Sequence, residues 1–117
     1  MCIRDRARSG YAAGLEIARR RDVTAAFCAN DQMALGAVHA FCDAGLEVPR
    51  DVSIVGFDDV PEAAHFLPPL TTVRQDFEAL GRRIMDTVEA VLAGDDETVD
   101  AVLPELVVRR STAPPRR

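Results

Sequence analysis

Two pairs of polar residues are placed where they could do chemistry. Asn30-Asp31 follows the apolar run at 24–29, and Asp58-Asp59 follows the apolar run at 52–57. Amides and carboxylates of this kind suit a polyhydroxylated ligand, because each pairs with hydroxyls that a dry pocket would leave unsatisfied. Local roles compete with that reading. Asn30 or Asp31 can cap the helix that follows, and Asp58 or Asp59 can cap the turn before Pro61. Acid–base catalysis would pair Asp58 with Asp59 or Glu62, yet adjacency alone does not arrange carboxylates for proton transfer. His39 and His65 have no partner at a catalytic spacing, and the chain has no GxSxG, HExxH or phosphate-cradling glycine loop. Cys2, Cys28 and Cys42 are scattered, with neither zinc-ligand nor CxxC spacing. Cys28 and Cys42 read instead as small apolar packing residues in a reducing compartment. No catalytic residue, metal or cofactor is expected.

The elements that must position these pairs alternate along the chain. Ser9 is a candidate N-cap for a helix reaching Arg21, with Tyr11, Leu15 and Ala18 at helical spacing. Residues 24–29 and 52–57 read as buried strands, and 70–74 as a third. Between the first two, Asn30-Asp31 opens a helix that Gly45 closes after Ala44. Residues 62–66 suggest a short helix, and Leu67-Pro68-Pro69 an extended link. From Asp76 to Ala93, Phe77, Leu80, Ile84, Met85, Val88, Val91 and Leu92 follow the i, i+3, i+4 pattern of an amphipathic helix, and Gly94 stops it. A charged loop at 95–100 and a β-rich run at 106–109 follow. Strand, helix, strand with short links is a βαβ unit, which requires a parallel sheet with right-handed crossovers. Ligands of such sheets bind outside the carboxyl ends of the strands, where Asn30 and Asp58 fall.

The helix after Asn30 carries a second message. Met33, Ala34, Ala37 and Phe41 form one apolar stripe, while Leu35, Val38 and Cys42 form another turned away from it, with His39 beside it. A helix packed on one sheet needs one stripe, so the second implies either a neighbouring helix of the same chain or a partner.

Composition narrows the partners. The 117 residues are 48% hydrophobic and carry a net charge of −5, and all 14 basic residues are Arg. Residues 9–108 hold seven basic and 18 acidic side chains, so this body repels phosphate backbones. No apolar run approaches the roughly 20 residues of a membrane helix.

The motifs ANDQMALGA, SIVGFDD and PPLTTVRQD, with LPELVVRRSTAPP near the end, give the run from 24 to 115 a family likeness. It resembles the end of the effector-binding core of the lac/gal repressor family. PPLTTVRQD in particular separates these regulators from the secreted sugar-binding proteins that share their fold. The resemblance implies an α/β, parallel-sheet, periplasmic-binding-protein-like (type I) core of two lobes with the ligand in the cleft. Crossovers at 67–75 and near 103–106 would join the lobes. The chain would then be incomplete, holding mostly the C-terminal lobe plus one helix, 76–93, of the N-terminal lobe. Residues 1–8 fit nothing downstream and read as an unrelated or artefactual segment, 9–113 as a partial effector-binding and dimerisation domain, and 114–117 as a tail.

By the same resemblance, Asn30, Asp58 and Gln75 face the effector and Phe77 lies by the cleft. Leu35, Val38, Cys42 and Phe66 map to the dimer interface. The implied protein is a cytoplasmic, sugar-responsive, repressor-type transcriptional regulator and not an enzyme. Its partners would be a sugar or sugar derivative, a second copy of itself, and operator DNA through an N-terminal helix-turn-helix domain that these residues lack. The runner-up is a secreted or periplasmic sugar-binding protein of a transport system.

Overall fold

The computed structural model describes residues 6–20, 22–94 and 101–116. Its order is α1 (Ala7–Ala18), β1 (Ala25–Phe27), α2 (Asp31–Asp43), β2 (Ser53–Asp58), a 3₁₀ helix (Pro61–His65), β3 (Thr71–Arg74), α3 (Phe77–Ala93) and β4 (Glu105–Val107). The strands lie in the order β1-β2-β3-β4. β1 and β2 are parallel, with Ala25 opposite Ser53, and β2 and β3 are parallel, with Asp58 opposite Arg74. The βαβ unit expected from the alternation is therefore present, with α2 as its crossover.

The chain divides into two compact units, one of residues 1–74 and 106–117, the other of residues 75–105. In the first, Phe41, Ile54 and Leu70 are fully buried, and Ala34, Ala37, Val52, Ala63 and Phe66 pack around them. Each large side chain so buried contributes about 1.5–3 kcal/mol. α1 crosses α2 at very short range. A Cβ on Gly36 would collide with the Ala7 carbonyl oxygen, and one on Gly10 with that of Met33. The absence of side chains at these positions is what lets the two helices close.

Several boundaries differ from the sequence reading. Ser9 is not the N-cap of α1 but sits in its first turn, where its hydroxyl donates to the Arg6 carbonyl at 2.7 Å and accepts from the Arg6 N–H at 3.2 Å. Ala7 and Arg8, which the sequence reading set apart with 1–8, lie in α1; residues 1–5 lie outside the described ones. α1 ends at Ala18 rather than Arg21. β1 is not a buried strand: it is three residues long and Phe27 is 66% exposed. It stands at the end of the strand order, with β2 as its strand neighbour. Phe27 instead meets Phe57 edge-on, with ring centroids 6.5 Å apart. The charged loop at 95–100 lies outside the described residues.

The return segment after β4 completes the first unit. Ser111 is fully buried. Its hydroxyl accepts from the Thr71 N–H at 2.7 Å and donates to the Ile54 carbonyl at 2.6 Å, and its own carbonyl accepts from the Ile54 N–H at 2.8 Å. One serine thus joins β2 to β3. Ala113 adds a reciprocal pair with the Ser53 hydroxyl.

In the second unit, α3 begins at an Asp76 cap, whose carboxylate accepts from the Ala79 N–H at 2.8 Å, and ends at Gly94 with φ of +83°. No residue of α3 is buried. Its apolar stripe is displayed: Ile84, Met85 and Val91 are each more than half exposed.

Candidate functional site

The two polar pairs at the strand ends divide their labour. Asn30 is the N-cap of α2, and its side-chain oxygen accepts from the Met33 N–H at 2.8 Å. Asp31, one residue on, points inward and is fully buried. One of its oxygens accepts from the Thr72 hydroxyl at 2.5 Å and the other from the Val60 N–H at 2.9 Å. The carboxylate thereby fixes the start of α2 to β3 and to the turn after β2. The space it needs is left by Gly56, where a Cβ would collide with it and stand 2.8 Å from Leu70 Cδ2.

The second pair repeats the pattern. Asp58 closes β2 with φ of +113°, and Asp59 follows with φ of +55°. Backbone of this kind costs a non-glycine residue of order 1–3 kcal/mol and persists where neighbours hold it. Asp59 supplies the hold. Its side chain is 7% exposed, with Arg74 Nε donating at 2.7 Å and Arg109 Nη2 at 2.7 Å from the other oxygen. Burial alone would raise the Asp59 carboxyl. The hydrogen bonds and charges of Arg74 and Arg109 outweigh it and hold the carboxyl below its ordinary range. Asn30 and Asp58 remain partly exposed at the carboxyl ends of the neighbouring strands β1 and β2.

The other sequence-predicted ligand residues belong to the second unit. Gln75 is half-buried, lining a small cavity with Asp76, Leu80, Val102, Leu103 and Pro104. Phe77 is 57% exposed. Sequence reasoning missed Thr72, Arg74, Arg109 and Ser111. The only available signal was polarity inside a β run, as in Thr71-Thr72.

The predicted interface residues separate. Leu35 is 40% exposed and Cys42 is exposed. Val38 is half-buried against the core, so the second stripe is narrower than its spacing suggests. Phe66 does not extend the patch at all. The 3₁₀ helix turns it inward, and it is 9% exposed within the core. Leu35 instead lines a shallow groove with Ala7, Arg8, Tyr11, Gly36 and His39. Tyr11 donates to Asp43 at 2.7 Å, and His39 lies 3.6 Å from the same carboxylate. That carboxylate, first by its hydrogen bond, raises the Tyr11 phenol above its ordinary value.

Among the described residues no three His, Cys, Asp or Glu side chains gather as metal ligands. The Cys28 thiol, pushed up to about 11 by burial and by Asp31, stays protonated and inert. Among the described residues no helix is long and apolar enough to cross a membrane.

Comparison with known proteins agrees with this geometry. The model of the periplasmic binding protein-like domain matches residues 2–112. The HTH-type transcriptional regulator MalR of Streptomyces coelicolor is 50% identical over 97 residues, which is 80% of this chain and 28% of that protein. The lac repressor dimer bound to operator and the anti-inducer ONPF superposes with a TM-score of 0.83 at 38% identity, covering 92% of this chain and 38% of that one. The complex of the transcriptional regulator CelR with cellobiose gives a TM-score of 0.79 at 39% identity, covering 91% and 33%. The chain thus spans less than a third of the length of the curated relative.

Proposed function

The chain belongs to the periplasmic binding protein-like family, as part of the effector-binding core of lac/gal-repressor-type regulators, and from that premise we propose that it serves a cytoplasmic, sugar-responsive transcriptional repressor. Operator contact falls to a helix-turn-helix domain outside these residues, in keeping with the acidic body. The chain does no chemistry of its own; its task is to bind. Effector occupancy favours one arrangement of the core over another, and that shift changes how the dimer presents its DNA-binding heads. Relatives that are helix-turn-helix regulators favour this over a secreted transport protein.

We assign Asn30, Asp58, Gln75 and Phe77 as effector-facing. One observation carries this. At both strand ends the inner carboxylate, Asp31 or Asp59, is held inside the fold, while Asn30, which also caps α2, and Asp58 stay partly exposed. Leu35 and Cys42, with the groove beside Tyr11 and His39, form the surface for a second copy. The bare stripe of α3 is the seat for the rest of its lobe.

The test uses the full-length protein, titrated calorimetrically with ribose, cellobiose, lactose and maltose. Asp58→Ala should weaken binding of the responsive sugar by about 1.5–3 kcal/mol, the range for a hydrogen bond to a charged group. A normal titration by that variant would reduce Asp58 to a turn residue.

A further inference from the structure

Asp59 has no place among the effector-facing residues, and its surroundings give it another role. Two guanidinium groups share one nearly buried carboxylate, Arg74 on one oxygen and Arg109 on the other, each at 2.7 Å. Both arginines stand where the chain changes unit. Arg74 is the last residue of the first unit before the chain departs at Gln75, and Arg109 follows three residues after the chain returns at Leu106. The returning strand is secured around the same point. The Arg109 N–H donates to the Thr71 hydroxyl at 2.9 Å, Arg109 Nη1 to the Leu70 carbonyl at 2.8 Å, and the Arg110 N–H to the Pro69 carbonyl at 3.0 Å.

We infer that Asp59 is a positioning residue: it ties the departing and the returning chain crossings to a single anion, so that a disturbance at one reaches the other. The physics favours transmission over independent anchoring. Charge-assisted contacts to a shared carboxylate are about twice as strong as neutral ones. Arg109 is only 18% exposed, so water replaces little of what it loses when the anion shifts. Arg74, at 48% exposure, is the more solvent-facing of the two. The purpose of the tie, making the response of the core concerted, rests on the regulator reading. The tie itself is tested without any effector.

The experiment is amide hydrogen exchange, read by mass spectrometry, on the full-length protein. Arg74→Gln should raise exchange at residues 106–110, more than thirty residues away in sequence, by about ten-fold, as expected for losing part of a charged hydrogen-bond network. Asp59→Asn should raise exchange at both 74–76 and 106–110, and Arg74→Lys should restore part of the protection at 106–110. Residues 31–41 should keep theirs. Unchanged exchange at 106–110 in Arg74→Gln would overturn the tie, as would independent responses of the two crossings in Asp59→Asn. Should Asp59→Asn loosen the whole unit, Arg74→Gln decides alone, because removing a half-exposed side chain does not open the core. Failure of the regulator reading would show separately, as a wild-type protein that binds none of the sugars.

Discussion

Removing the Asp31 carboxylate should be among the most damaging single changes available in this chain. Asp31 is fully buried and holds two donors, the Thr72 hydroxyl and the Val60 N–H. Asp31→Ala leaves both unpaired, the Thr72 hydroxyl in a fully buried place and the Val60 N–H in a partly buried one, at about 1–3 kcal/mol each. The loss is therefore roughly 2–6 kcal/mol, against a typical total stability of about 5–15 kcal/mol. Asp31→Asn should cost less, about 1–3 kcal/mol, because its amide oxygen still satisfies one donor while its NH₂ faces the other. Thr72→Val removes one of the same bonds from the opposite side. The double variant Asp31→Ala with Thr72→Val should then cost clearly less than the sum of its parts. The assay is urea unfolding of the full-length protein, read as the midpoint at constant slope. A shift for Asp31→Ala worth less than about 1 kcal/mol, or strict additivity with Thr72→Val, would refute the view that this carboxylate joins α2, β3 and the Val60 turn.

Other perturbations follow from the same geometry. Gly36→Ala drives a methyl into the Ala7 carbonyl and should cost about 1–3 kcal/mol by forcing α1 from α2, measurable as a lower urea midpoint. Ser111→Ala strips the Thr71 N–H of its partner and should cost about 1–3 kcal/mol, with exchange rising at Thr71 before other core amides. Because the Asp59 carboxyl is held below its ordinary 3.8, its contribution is complete above that pH and lost as pH falls through the lowered value. The gap in urea midpoint between wild type and Asp59→Asn should therefore shrink below about pH 3.8; a constant gap would place the effect on packing rather than charge. Leu35→Asp should split the proposed dimer in analytical ultracentrifugation while circular dichroism stays native, since Leu35 still exposes 40% of its surface, burying that remainder in a two-fold interface is worth about 0.5–1 kcal/mol on each side, and a carboxylate there would be desolvated twice.

What could be read from the sequence was what acts locally. The Asn30 cap and the stop at Gly45, whose φ is +73°, are set within a few residues, and so were visible. So was the placing of Asn30 and Asp58 at strand ends, because strand–helix–strand alternation fixes where ends occur. Strand order is not local. Residues 24–29 looked buried because periodicity carries no information on which strand lies at the end of a sheet. Phe66 sits between a short helix and a proline pair, with no period to show that its ring turns inward. Asp31 and Thr72 are 41 residues apart, and nothing near either one marks the other as its partner. Asp59 was equally opaque. One of its two cations arrives only after the chain has left the unit and come back.

The position of Ser111 has a consequence for the order in which the protein is made. β2 and β3 lie next to each other, yet the serine that joins them is translated 57 residues after Ile54 and 40 after Thr71. All of α3 and β4 must leave the ribosome first. During that interval Ile54 and Thr71 have been synthesised without their final partner, on strands whose polar backbone groups invite pairing with other chains. Closing a contact over such a separation is slow compared with forming α1 or α2. Synthesis therefore passes through a stage in which the helices have formed and the sheet is unfinished, the kind of intermediate on which chaperones act. A nascent chain held with Ser111 still inside the ribosomal exit tunnel should be markedly more sensitive to protease than the released protein.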